Sequence, residues 1–127
     1  MKLGEYFTAI KEKLGDSEIV VEIKIVDERI FRGKGYFRAR LTLINGDFLE
    51  IAESFMEEAQ KAITLDYRYQ WMDGSRLLLR KRWDSVKHFP GLENFPHHVH
   101  ILEESNVIPG VCRSIVEFID FMESELT

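Results

Sequence analysis

Two dipeptides, Asn45-Gly46 and Asp73-Gly74, each set between apolar-rich runs, most restrict what this chain can become. A two-residue hairpin turn needs positive φ at both central positions, which Asn, Asp and Gly adopt at little cost. Around them Ile19, Val21, Ile23 and Ile25 alternate with Val20, Glu22, Lys24 and Val26. A second run starts near Ile30, is interrupted at Gly33 and Gly35 in a way that suits a bulge or bend, and resumes through Phe37, Ala39, Leu41 and Leu43. An antiparallel meander is expected. With Asn45 and Gly46 as the turn, Ile44 pairs with Asp47, Leu43 faces Phe48, Leu41 faces Glu50, and Arg38 faces Glu53 as a cross-strand ion pair.

The second turn separates Ala62 to Met72 from Ser75 to Trp83. With Met72 facing Ser75, Tyr67 falls opposite Arg80, Leu65 opposite Arg82 and Trp71 opposite Arg76. Leu65, Tyr67, Tyr69, Trp71, Leu78, Arg80, Arg82 and Asp84 would then share one face. Guanidinium groups among aromatic rings are costly to bury unless paired or stacked. That face is expected either to pair them with carboxylates such as Asp84 and Glu50 or to line an anion-binding cleft.

Helical spacing marks the two ends. Tyr6, Phe7, Ile10 and Leu14 recur up to Gly15, and Val111, Ile115, Phe118, Ile119 and Met122 form a stripe after Pro109, which suits a first helical turn. The expected fold is α+β, an antiparallel meander sheet of about five strands flanked by an N-terminal and a C-terminal helix, with 1–127 as a single domain. A hydrophobic fraction of 45% and only three prolines exclude a disordered chain.

The net charge of -5 argues against holding nucleic acid by bulk electrostatics, although basic residues concentrate in Arg29 to Arg40 and Arg76 to Lys87. The single Cys112 excludes an internal disulfide and, in its apolar setting, is expected to be a buried thiol. No apolar stretch is long enough to span a bilayer and the N-terminus has no apolar targeting core, so a cytoplasmic protein with no membrane partner is expected. P-loop, GxGxxG, HExxH, GxSxG and CxxC patterns do not occur.

Chemistry concentrates between positions 80 and 100, where Phe95-Pro96-His97-His98-Val99-His100 holds three of the four histidines and His88 the fourth. Imidazole titrates near neutrality and ligates metals, so such a cluster serves acid/base chemistry or metal binding. In an extended segment His98 and His100 point to one side and His97 to the other. Three readings fit. In the first, two histidines act as base and acid on a ribose 2′-hydroxyl and a leaving oxygen, while Arg80 or Arg82 stabilises the phosphorane charge, without a cofactor. In the second, His98, His100, Asp84 and His88 bind Zn²⁺ or another divalent metal in a hydrolase. In the third, these residues tie a loop to the sheet or form a docking surface for another protein.

Tyr67-Arg68-Tyr69-Gln70-Trp71, then Leu79-Arg80-Lys81-Arg82-Trp83-Asp84, His88 and the Phe95 to His100 segment, in that order, resemble the TumE-like family, regarded as the toxin component of type II toxin–antitoxin modules. Leu43 to Glu50 is similar to that family's hydrophobic-turn-hydrophobic strand pair, and the resemblance runs from about Phe37 to Met122. It implies a toxin with a cognate antitoxin, often one with a DNA-binding helix-turn-helix, and leaves the chemistry open; RNA cleavage is the working mechanism, and a homodimer stays open. Carried over by position, the site candidates are Tyr67, Arg80, Arg82, Asp84, His88, His97, His98 and His100. In this scheme His98 and His100 are acid and base, Arg80 and Arg82 hold phosphate, and Asp84 orients a histidine. Ser85 departs from the asparagine expected of the family after Asp84.

Overall fold

The computed structural model describes residues 2–126. Helix α1 (Leu3–Asp16) buries Tyr6, Phe7, Ile10 and Leu14, the stripe anticipated from their spacing. Seven antiparallel strands follow, each hydrogen-bonded to the next in chain order: β1 (Val20–Phe31), β2 (Lys34–Leu43), β3 (Phe48–Glu58), β4 (Lys61–Met72), β5 (Leu79–Asp84), β6 (His98–Ile101) and β7 (Val107–Pro109). Helix α2 (Ile115–Leu126) closes the chain. The fold is the expected α+β meander between two helices. It has two strands more than about five because the histidine segment is itself a strand, β6, and turns back into β7.

Pro109 ends β7 instead of opening the last helix, and at a sheet edge its missing N–H breaks no ladder bond. The signal that starts α2 is a capping box. Ser114 Oγ accepts the Glu117 N–H at 3.2 Å, and the Glu117 carboxylate accepts the Ser114 N–H at 2.9 Å.

The turns correct both expected registers. Asn45-Gly46 belongs to a three-residue loop, Ile44 to Gly46, in which the Gly46 N–H donates to the Leu43 carbonyl at 2.8 Å and only Gly46 of the pair is left-handed, at φ 88°. Thr42 therefore faces Phe48, Leu41 faces Leu49 and Arg40 faces Glu50. The expected Arg38–Glu53 pair does not form, since Glu53 faces Phe37. Asp73-Gly74 likewise opens a loop running to Leu78, held by the Asp73 carboxylate, which accepts the Leu77 and Leu78 N–H groups at 2.9 and 2.8 Å. Two-residue turns with both φ values positive occur instead at Arg32-Gly33 (53° and 75°) and Ala59-Gln60 (51° and 64°).

Both helices pack on one face of the sheet. There α1 and the α2 residues Ile115, Phe118, Ile119 and Met122 meet alternate residues of β2 and β3, then Tyr67, Tyr69, Trp83 and Val99. Gly35 sits under this core because a Cβ would lie 2.4 Å from the Phe55 ring. The apolar alternation of β1 does not make a buried face as expected. On this edge strand Val21, Ile23 and Ile25 are 58%, 42% and 43% exposed. Cys112, expected to be buried, is exposed in the segment before α2. Among the described residues no helix is long and apolar enough to cross a membrane.

Candidate functional site

The face of the sheet away from the helices carries the unusual residues. Because the loop to Leu78 is longer than a two-residue turn, Tyr69 faces Trp83, Gln70 faces Arg82 and Arg68 faces Asp84. Opposed residues share a face, so Trp83 joins the aromatic core while Arg82 and Asp84 leave it. Strand β6 continues the rows, placing His100 opposite Arg82 and His98 opposite Asp84. Four polar side chains from two adjacent strands thus converge on the outer face.

The convergence is tight and dry. Asp84, His98 and His100 are 2%, 1% and 4% exposed. His98 Nε2 lies 2.8 Å from Asp84 Oδ1 and His100 Nε2 lies 3.6 Å from Oδ2. The two imidazoles meet edge to face at 4.9 Å between centroids, and Phe89 stands edge-on over them at 5.0 and 6.0 Å. Asp84 is also held by Arg82 Nε at 3.1 Å and by the Val86 N–H at 3.0 Å. Arg82 turns its other nitrogens to Glu104 in a two-pronged pair, which holds the Glu104 carboxyl below its usual range and raises the guanidinium above its own.

Beside the cluster, a groove of about 410 Å³ is lined by Tyr36, Arg38, Glu50, Ser54, Arg68 and Val86, among others. Glu50 receives Arg38 and Arg40 at 3.0 Å each and lies 3.9 Å from Arg68. Burial works to raise the Glu50 carboxyl, but the hydrogen bonds from Arg40 and Arg38 outweigh it and hold it low. One carboxylate shared among three partly exposed guanidiniums leaves donors on Arg38 and Arg68 facing the groove.

Four of the eight expected site residues lie elsewhere. Arg80 is bound to the buried Asp47 at 2.7 Å, beside Trp71, which also donates to Asp47. Tyr67 is in the core, its hydroxyl 2.9 Å from His97 Nδ1 and its ring stacked on that imidazole with an interplanar angle of 6°. Burial raises the Tyr67 hydroxyl and lowers His97. His88 is exposed and touches Phe89, outside the cluster. Ser85 has a structural task of its own, accepting the Tyr67 N–H at 3.1 Å and so fastening the end of β5 to β4.

Sequence reasoning missed Arg38, Arg40, Arg68, Phe89 and Glu104 as parts of this site. Glu104 carried a usable signal, because its partner Arg82 and its neighbour His100 were already candidates. Arg68 and Phe89 carried none beyond adjacency to Tyr67 and His88.

No curated protein and no solved structure matches this chain. A family model described as Toxin TumE matches residues 10–126, which takes in the second half of α1, the whole sheet, the Asp84–His98–His100 cluster and all of α2. The chain belongs to the TumE toxin family.

Proposed function

We propose that this chain is the toxin of a toxin–antitoxin pair and acts by cleaving RNA on the outer face of its sheet. The toxin family implies an antitoxin partner, and a helix-turn-helix DNA-binding protein is the kind expected. The observation that carries the site is the burial of Asp84 against His98 and His100 beside a groove fringed by guanidiniums.

Phosphate binding in this reading falls to Arg38 and Arg68, which line the groove and share the Glu50 carboxylate with Arg40. Arg80 is committed to Asp47, and Arg82 is a positioning residue, spanning Asp84 and Glu104. The reacting centre in this reading is the cluster, beside which Phe89 stands edge-on to the two rings. A base and an acid acting in line would flank the phosphorus from opposite sides, whereas the two Nε2 atoms converge on one carboxylate. The geometry therefore favours a single shared centre over two separate proton-transfer groups.

The test is incubation of the purified chain with end-labelled single-stranded RNA, alongside Asp84→Asn and Arg68→Ala. Discrete cleavage by the wild type, lost with Asp84→Asn and weakened with Arg68→Ala, is expected. Growth arrest by a chain that leaves RNA intact would overturn the reading.

A further inference from the structure

Each imidazole of the cluster has one nitrogen already committed. His98 Nδ1 lies 2.8 Å from the Pro96 carbonyl oxygen, and His100 Nδ1 lies 2.8 Å from that of Glu104. A carbonyl only accepts, so each Nδ1 carries its proton, and in the neutral ring the lone pair sits on Nε2. Both Nε2 atoms, each bearing a lone pair, then crowd the Asp84 carboxylate at 2.8 and 3.6 Å in a site almost closed to water. Lone pairs meeting a carboxylate under burial repel unless a positive charge lies among them.

A proton is a poor fit for that charge at His98. Its Nε2 has no hydrogen-bond partner although Asp84 Oδ1 is only 2.8 Å away, so an N–H there would not point along the contact. A metal ion fits better. One donor atom from each of Asp84, His98 and His100 falls within 4.8 Å of the others. Bonds of about 2.0–2.1 Å to a tetrahedral ion place donors roughly 3.3 Å apart, close to the Asp84–histidine contacts.

The surroundings are those of ligands held in place. Both Nδ1–H groups are fixed by carbonyls, and the carboxylate is fixed by Arg82 Nε and the Val86 N–H. The Arg82 charge is in turn balanced by Glu104. We infer that Asp84, His98 and His100 bind one divalent transition-metal ion of the Zn²⁺ class. Two imidazoles disfavour Mg²⁺ and Ca²⁺, and three protein ligands leave a position for water or a substrate oxygen. The inference rests on the cluster alone and does not depend on RNA being the substrate.

The experiment is calorimetric titration of the EDTA-stripped full chain with Zn²⁺, with His100→Gln and His88→Gln in parallel. One ion per chain is expected, with affinity reduced more than about 100-fold in His100→Gln and unchanged in His88→Gln. If His100→Gln does not fold, Co²⁺ added to the wild type is read by NMR, where the Nδ1–H resonances of His98 and His100 are expected to be paramagnetically shifted. Absence of saturable uptake by the folded wild type, equal affinity in His100→Gln, or unshifted ring N–H signals would each overturn the site. RNA cleavage is not read here, so its failure and the failure of metal binding stay distinct.

Discussion

Glu53 and Asp84 are both buried carboxylates of this sheet, at 1% and 2% exposure, yet only Asp84 has nitrogens without protons among its neighbours. Glu53, on the helix side, accepts hydrogen bonds from the Tyr6 hydroxyl at 2.8 and 2.9 Å, the Thr64 hydroxyl at 2.7 Å and the Ile115 N–H at 2.9 Å. Its oxygens are answered by donors from α1, β4 and the start of α2, so it acts as a knot joining both helices to the sheet. Asp84, on the outer side, meets two imidazole nitrogens whose protons are spent elsewhere. Donors alone explain Glu53, whereas Asp84 also borders two imidazole nitrogens without protons, the crowding that the inferred ion would relieve.

The sharpest separation is in stability. Glu53→Ala leaves three donors without an acceptor inside the core and opens a void, so a loss of about 3–5 kcal/mol in urea unfolding is expected. Asp84→Asn in EDTA is expected to cost on the order of 1 kcal/mol or less, because the amide oxygen still accepts from Val86 or Arg82 while the lone-pair crowding eases. Comparable losses for the two would erase the distinction.

Next comes linkage to metal. If the inferred site holds Zn²⁺, the wild type is expected to gain roughly 2.7 kcal/mol at free Zn²⁺ about 100-fold above its dissociation constant, and Asp84→Asn is expected to gain none. A Zn²⁺-dependent rise in the unfolding midpoint that survives Asp84→Asn would place the ion elsewhere.

The pH dependence separates the two residues again. Burial raises the Glu53 carboxyl despite its hydrogen bonds from Ile115, Thr64 and Tyr6, so the folded chain holds that proton more tightly than the unfolded one. Relative to Glu53→Gln, the wild type is then most stable below the ordinary value of 4.5 and loses that advantage as pH rises from 4.5 through the raised value. Urea midpoints across that range test this, and a difference that grows with pH would mean Glu53 is held as an ion. The smallest effect belongs to Arg80→Met. Its partly exposed pairing with Asp47 is worth about 1 kcal/mol at most, and Zn²⁺ affinity should not move.

Much of the fold was legible in the residue pattern, and the rest, including the faces of Glu53 and Asp84, was lost at two turns. The helical stripes and the period of two carry the α+β meander, and the spacing of His98 and His100 carries their shared side. The face of Asp84 and Arg82 was not legible, because Asp73-Gly74 looks like a two-residue turn while Asp73 uses its side chain to hold a longer loop. Moving Arg82 from opposite Leu65 to opposite Gln70 is an odd shift, which exchanges the two faces of the strand. The same exchange at Asn45-Gly46 converts an expected Leu41–Glu50 opposition into Leu41–Leu49 and Arg40–Glu50. Pairing Trp83 with Tyr69 as core aromatics would have given the correct face for Asp84. Ala59-Gln60 gave no warning that it forms a two-residue turn, since neither residue favours positive φ.

The claim at the centre of this account is that the Asp84 cluster is where the toxin works and not another knot in its core. Growth after induced expression tests it directly, comparing wild type, Arg80→Met, Asp84→Asn and His100→Gln at matched soluble levels and matched circular dichroism. Arrest is expected from the wild type and Arg80→Met and not from the two cluster variants. Arrest by Asp84→Asn as complete as that of the wild type would contradict it.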